Sequence, residues 1–475
     1  MNADLACGSN ISALPRPCLP RPRGLFSYDG ACDNPTDMKG KDTEPGVLRP
    51  VAQLREALAS GGGRAELERL YGPGETPAAR QRFLALLERH ASEFPGDRRA
   101  ALFSVPGRTE IGGNHTDHNS GRVLAAAVDL DIIACACPGE EPVARIDSEG
   151  YEPQVVELDR LEARESERFQ PAALVRGLAS RLSELGWRIG GFQACLSSRV
   201  LKGSGLSSSA AYEVAIGTIL NQLYNGGRIP AVELAKACRY AENQYYGKPC
   251  GLMDQTTCAV GGFVSIDFAD IANPRVEKVE LDFAATGMSL VIVDTGGHHA
   301  DLTGDYAAIE REMKETARAL GAQTLRGASR ERLLAEAARL REKVGDRAIL
   351  RSLHFFDDDR RAAAQAAALR RGEVAEFLRL VGESGASSWM LLQNCYPPEA
   401  TRDQGIPLAL AMSRELLGGQ GACRVHGGGF AGTIQAFVPE GLLPAYLTKM
   451  RELFGADSCH PLRVRQAGAT AVAIP

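Results

Sequence analysis

The run Gly203-Ser204-Gly205-Leu206-Ser207-Ser208-Ser209-Ala210-Ala211 has the composition of an anion cradle: small residues in a turn, leading straight into an apolar-periodic stretch. The first N–H groups of a helix lack intrahelical partners and sit at the positive end of its dipole, so a phosphate can accept several of them at once. Gly203 and Gly205 let the backbone approach the anion, Leu206 opens the apolar periodicity, and the hydroxyls of Ser207, Ser208 and Ser209 can reach phosphate or a magnesium ion. A plain serine cap after a glycine turn has the same local text. The run is not a Walker A loop, because no Gly-Lys-Ser/Thr follows, and not a dinucleotide fingerprint, because the third glycine is missing.

Its neighbours supply the rest of the chemistry. Asp254 stands in Cys250-Gly251-Leu252-Met253-Asp254-Gln255, a stretch too apolar for an idle surface carboxylate, and Arg108 ends Val105-Pro106-Gly107-Arg108 at the mouth of a polar segment. An Asp that accepts a hydroxyl proton, kept ionised by a guanidinium that also stabilises phosphoryl charge, is what direct phosphoryl transfer to an alcohol requires. Glu242, twelve residues before Asp254, is a candidate magnesium ligand together with Ser209, since magnesium takes oxygen ligands and often only one or two from protein. Each of these side chains taken singly also fits a structural ion pair.

Gly112-Gly113-Asn114-His115-Thr116-Asp117-His118-Asn119 places several short polar side chains within eight residues, a composition suited to holding sugar hydroxyls. His115, His118 and Asp117 could in principle bind zinc. No second ligand cluster accompanies them, because His298-His299 lies in a separate polar turn and His426 in a glycine run.

These residues need elements to hold them. Helical spacing predicts packing helices within 51–93, then helices near 172–185, 206–224 and 231–245, and later at 306–319, 330–343, 360–371 and 374–380. Strands are predicted at 101–105, 123–136, 191–196, 263–268 and 290–294, with 106–121 as the polar loop and 273–285 as the crossing between two lobes. The glycine run 427–432 lies between strand-like flanks, and Leu462 to Val472 reads as an alternating strand. Strands and helices are mixed in both halves, as in two α+β lobes around a cleft: an N-terminal lobe over 47–284 and a C-terminal lobe over 285–475.

Composition bounds the remaining classes. With 44% hydrophobic and 24% charged residues the chain can bury substantial cores. A net charge of −5 and no dense Lys/Arg block argue against a nucleic-acid surface. The apolar stretch Val123 to Cys137 is broken by Asp129 and Asp131 and is shorter than the roughly 20 residues that span a bilayer. The chain has twelve cysteines but no Cys-x-x-Cys pair, and Cys135 and Cys137 share an apolar segment, so the expectation is small core thiols in a reduced, cytoplasmic compartment. Residues 1–46, with Pro15, Pro17, Pro20 and Pro22 interleaved with Arg16, Arg21 and Arg23, are expected to form an extended, disordered leader.

From about residue 100 onward the chain resembles the galactokinase branch of the GHMP kinase superfamily, with three motifs in family order. Gly107-Arg108-Thr109-Glu110-Ile111-Gly112-Gly113-Asn114-His115-Thr116-Asp117-His118-Asn119 is similar to the signature that usually reads Gly-Arg-Val-Asn-Leu-Ile-Gly-Glu-His-Thr-Asp-Tyr-Asn. Gly205 to Ala210 is similar to the family's phosphate loop, and Val425-His426-Gly427-Gly428-Gly429-Phe430-Ala431-Gly432 to its C-terminal glycine-rich motif. The resemblance implies a two-lobed α+β fold, ATP and Mg2+, and phosphorylation of the anomeric hydroxyl of galactose. It implies Asp254 as base with Arg108 as partner, magnesium on Ser209 and Glu242, and sugar contacts from His115, Asp117, Gly251 and Tyr306.

The sequence departs from that pattern at one informative place. Asn114 stands where the family usually carries a sugar-bonding Glu, and Glu110 stands where Asn is usual. Asn114 keeps an acceptor oxygen for the sugar but loses the charge, and charged hydrogen bonds are worth roughly 1.5 to 3 kcal/mol against about 1 for neutral ones. With His118 in place of the usual Tyr, a related sugar such as N-acetylgalactosamine or arabinose stays open as substrate, as does a sugar sensor without catalysis.

Overall fold

A computed structural model describes residues 48–475, apart from 97, 202–204 and 297–301. The expected leader, Gly203 of the phosphate turn and His298-His299 therefore lie outside the described residues. The described residues form one unit.

The chain enters through β1 (Arg49–Pro50) and three helices, α1 (Val51–Ala59), α2 (Arg64–Tyr71) and α3 (Thr76–Glu93), the packing helices expected there. Two long antiparallel strands follow, β2 (Arg99–Gly112) and β3 (Arg122–Pro138), then β4 (Val143–Ser148) and β5 (Gln154–Glu157). After α4 (Pro171–Glu184), β6 (Phe192–Ser198) runs back across the sheet. Three helices come next, α5 (Ser208–Asn225), α6 (Ala231–Ala241) and α7 (Met253–Val260). A π-helical turn, Glu242–Tyr246, extends α6. The hairpin β7 (Phe263–Asp267) and β8 (Arg275–Val279) completes this part of the chain. The nine-stranded sheet has the order β1-β2-β3-β6-β4-β5, with β7 on β3 and β8 on β7.

Alternation along β2 and β3 gives this sheet two covered faces. Ala101, Phe103, Ala134 and Ala136 face α4 to α7, meeting Val175, Leu178, Val214 and Ile219. Leu102, Ile133, Cys135 and Cys137 point the other way, against Leu54, Leu58, Phe83 and Leu87 of the N-terminal helices. Cys135 and Cys137 are thus buried core thiols, and the nine cysteines among the described residues are free.

A second sheet begins with β9 (Met288–Asp294). Helices α8 (Thr303–Ala319), α9 (Arg330–Ala335), α10 (Ala337–Val344), α11 (Asp346–Arg370), α12 (Val374–Ser387) and α13 (Gly405–Leu417) follow. They lead to β10 (Ala422–Val425), β11 (Thr433–Pro439), α14 (Leu443–Phe454) and β12 (Cys459–Leu462), and the four strands pair in the order β10-β11-β9-β12. Edge-to-face rings join the two sheets: Phe377 lies 5.2 Å from Phe437 and 6.4 Å from Phe263, centroid to centroid. No helix among the described residues is long and apolar enough to cross a membrane.

The structure departs from expectation in three places. The segment 106–121 is not all loop. β2 continues to Gly112 through two irregularities, and Gly107 lets it run beside the phosphate turn, where the Arg108 N–H donates to the Leu206 carbonyl at 3.2 Å. The expected crossing at 273–285 contains β8, which pairs with β7. Leu462 to Val472 is not one strand. Arg465 turns inward to Asp131 and Ser104, which breaks the alternation, and the chain then adds β13 (Thr470–Val472) to β2.

Candidate active site

The phosphate turn enters α5 through two left-handed residues, Gly205 at φ 75° and Ser207 at φ 56°. A non-glycine residue in this region is strained, and such strain persists where the surroundings over-determine it. Here they do. The Ser207 hydroxyl donates to Asp254 Oδ2, and a Cβ on Gly205 would stand 2.9 Å from His426 Nδ1. Leu206 is buried beneath, while Ser208 and Ser209 open toward solvent at the helix start.

Asp254 occupies the first turn of α7, where the helix dipole favours a negative charge. Arg108 grips it in a fork, Nε to Oδ1 at 2.8 Å and an Nη to Oδ2 at 2.6 Å, and its other Nη donates to the Gly205 carbonyl. Burial by itself would raise the Asp254 carboxyl. The Arg108 guanidinium, helped by Ser207 and Lys248, more than reverses this and holds it below the ordinary carboxylate range. Arg108 is almost wholly buried, whereas about a third of the Asp254 side chain, 33%, is exposed. The pair therefore presents a carboxylate, with its charge maintained, beside the phosphate turn.

Glu242 is buried at the start of the π-helical turn. One of its oxygens accepts from Gln255 Nε2 at 2.8 Å, and the other lies 3.5 Å from Lys248 Nζ. The same Gln255 nitrogen lies 3.2 Å from Glu213, whose carboxyl is pushed well up by burial and then by Glu242. Ser209, Glu242 and Lys248 line one cavity of about 580 Å³, along with Leu174, Gln154 and Tyr212. Of its lining the sequence reading named only Ser208, Ser209 and Glu242; the other walls come mostly from β3 to β6, α4 and the segments joining them, which carry no motif.

The polar loop after β2 docks on the glycine run that follows β10. Asn114 Nδ2 donates to the Gly427 carbonyl at 2.7 Å, His115 Nε2 to Gly428 at 2.9 Å, and the Tyr306 hydroxyl to Gly429 at 2.9 Å. Burial, and then His118, lowers His115 to about 4, so it is neutral at pH 7. Gly251 sits directly against Asp117, where a Cβ would come within 2.7 Å of Oδ2. That contact joins the segment leading into α7, and so to Asp254, to the polar loop.

Asn114 requires a correction. Expected as a sugar contact, it is completely buried. Its amide nitrogen goes to Glu110 and Gly427, and its oxygen accepts from Asn394 at 2.8 Å. Its backbone is held by Asp358 and His354. With every polar group turned inward, Asn114 positions the loop and does not face a ligand. The carboxylate displaced from position 114 reappears at Glu110, paired with the fully buried Arg424 at 2.8 Å. Asn394 and Asp358 escaped the sequence reading because they sit in a loop and a helix remote from the motifs, and Arg424 because it precedes the glycine motif inside strand β10.

Comparison with known proteins bears on this geometry. The model of the GHMP kinases N terminal domain matches residues 173–262, which carry the phosphate turn, Glu242 and Asp254. The galactokinase galactose-binding signature matches residues 88–138, which carry Arg108 and the polar loop. The two matches together support a galactokinase-type kinase of the GHMP superfamily. They indicate a sugar phosphotransferase. Lactococcus lactis galactokinase, solved with galactose, shares the fold at 23% identity over 81% of this chain and 98% of its own, with a TM-score of 0.69. Methanococcus jannaschii mevalonate kinase is similar at 15% identity over 78% and 99%, TM-score 0.55. Streptococcus pneumoniae phosphomevalonate kinase, solved with phosphomevalonate and AMPPNP, is similar at 12% identity over 78% and 99%, TM-score 0.52.

Proposed function

We propose that the protein transfers the γ-phosphoryl group of ATP to the anomeric hydroxyl of galactose, giving galactose 1-phosphate and ADP. The forked Arg108–Asp254 pair beside the phosphate turn carries the reading. Asp254 accepts the hydroxyl proton as the sugar oxygen attacks. Arg108 holds Asp254 ionised and in register, and the first N–H groups of α5 receive the nucleotide phosphates. The cavity behind Ser209 has the size of small-ligand sites and a largely apolar wall with a few polar groups, which suits a nucleoside. His115, Asp117 and Tyr306 serve the sugar, with Gly251 keeping space beside Asp117.

Magnesium fits the donors present. Among the described residues no group of three or more His, Cys, Asp or Glu side chains could hold a metal by itself. Magnesium bound with nucleotide phosphates needs only one or two protein oxygens, and Glu242 and Ser209 open on the same cavity. When bound it would neutralise charge on the phosphates. Residues 47–284 and 285–475 act as the two lobes in this reading, with the phosphate turn in the first and the glycine run in the second. Free buried thiols support a reduced, cytoplasmic setting.

The test is ADP release with ATP and Mg2+ across a panel of free sugars, for the wild type and Asp254→Asn. Galactose-dependent turnover that collapses in the variant is the expected result. Turnover only with another sugar would move the substrate assignment, and sugar binding without turnover would sink the catalytic claim.

A further inference from the structure

Lys248 lies outside all three motifs, yet it enters the same cavity as Ser208, Ser209 and Glu242. Its position is fixed by the backbone. Gly247, in the left-handed region at φ 89°, closes the π-helical turn, and the N–H groups of Gly247 and Lys248 both donate to the Glu242 carbonyl, at 3.0 and 3.2 Å. Pro249 has no N–H to satisfy, and the Cys250 N–H donates to Asn243 Oδ1 at 2.7 Å. A segment with its donors satisfied in this way presents its side chain from a defined place.

The ammonium itself is only loosely engaged. Nζ stands 3.5 Å from Glu242 Oε1, beyond good hydrogen-bond distance, and 59% of the Lys248 side chain is exposed against 4% for Glu242. A lysine serving only to neutralise Glu242 would close that gap. Arg108, by contrast, spends Nε and one Nη on Asp254 and the other Nη on Gly205, so each of its three nitrogens is already engaged. Charge on a transferring phosphoryl group spreads over its three equatorial oxygens, and a preorganised cation beside them is a large catalytic term.

We propose that Lys248 is a further catalytic residue, whose ammonium binds the γ-phosphoryl group and travels with its charge during transfer. This rests on the kinase reading above. In the step, the bond between the γ-phosphorus and the β–γ bridging oxygen breaks, its electron pair leaving with ADP. The bond from the sugar oxygen to phosphorus forms, and the hydroxyl proton passes to Asp254. Lys248 keeps its proton and forms no covalent bond.

The experiment uses the full chain with Lys248→Met and Lys248→Arg, and measures Mg2+-dependent binding of ADP and AMPPNP by calorimetry alongside galactose-dependent turnover. A contact to the γ-phosphoryl group predicts that Lys248→Met loses at least roughly tenfold in AMPPNP affinity while ADP affinity stays within about twofold. Its kcat falls on the order of 10²- to 10³-fold with the KM for galactose little changed. Lys248→Arg recovers much of both. Equal weakening of ADP and AMPPNP would overturn the assignment and reduce Lys248 to a support for Glu242. So would unchanged turnover in Lys248→Met against an active wild type, whereas an inactive wild type would instead refute the parent reading.

Discussion

Replacing Arg108 with Met removes the two bonds that hold Asp254 while keeping much of the side chain's bulk. Breaking a fully buried pair by deleting one partner costs about 3 to 5 kcal/mol. With 33% of the Asp254 side chain exposed, solvent screening brings this to about 2 to 3 kcal/mol at neutral pH. Unfolding entropy of about 2.1 cal/mol/K per residue over the roughly 420 described residues gives about 0.9 kcal/mol/K, so Tm should fall by about 2 to 3 °C. The loss should depend on pH in a definite direction. In the wild type the Asp254 carboxyl is depressed, so the pair stabilises fully above the ordinary carboxylate value and fades as pH falls through the lower folded value. In the variant burial acts unopposed by Arg108 and raises the carboxyl, so protonation relieves the stranded charge. The difference in Tm should therefore be widest near pH 7 and close as pH falls toward 4.5, as calorimetric scans across that range would show. Turnover at pH 7 should fall on the order of 10²- to 10³-fold. A Tm difference that stays constant with pH, or full activity in the variant, would refute the ion-pair reasoning.

Asn114→Glu should destabilise by about 3 kcal/mol, because a carboxylate cannot donate to Gly427 and would face Glu110 in a buried site. The double change Glu110→Asn/Asn114→Glu should recover at least about 1 kcal/mol of the summed losses in denaturant titrations, and additive losses would show that the two positions are not coupled. Glu242→Ala should raise the Mg2+ concentration for half-maximal turnover by roughly ten- to a hundredfold, and an unchanged requirement would remove Glu242 from the metal. Tyr212→Ala should raise the KM for ATP about tenfold and leave the KM for galactose alone, since its ring lines the nucleoside cavity; a matching rise in both would point to a folding defect.

Much of the site was legible because its chemistry is local. The turn at 205–209, Arg108 and Asp254 stand out by residue type and by their immediate neighbours in the chain, and the structure brings all three into contact. Strand and helix positions came from periodicity wherever a segment had one buried face. The hidden part depends on contacts between distant segments. The inward turn of Asn114 is set by Asn394, Asp358 and Gly427, hundreds of residues away along the chain. The continuation of β2 through Pro106 to Gly112 is set by its partner β3, which outweighs a local composition that reads as loop. Beyond Ser208, Ser209 and Glu242, the cavity behind the phosphate turn was hidden because apolar walls look like core in a sequence.

The pairing of β13 with β2 has a consequence for synthesis. Leu102 meets Val472, some 370 residues further along the chain, on the strand that goes on to carry Arg108. At about 5 to 20 residues per second, a ribosome needs roughly 20 to 70 seconds to bring that partner out after β2 has emerged. Over that interval this edge of β2 is an unpaired row of N–H and C=O groups flanked by apolar side chains, the kind of surface that recruits other strands. The nascent chain thus passes through a stage in which the sheet that will hold Arg108 is adhesive, and chaperone cover or the translation schedule would decide its yield more than final stability does.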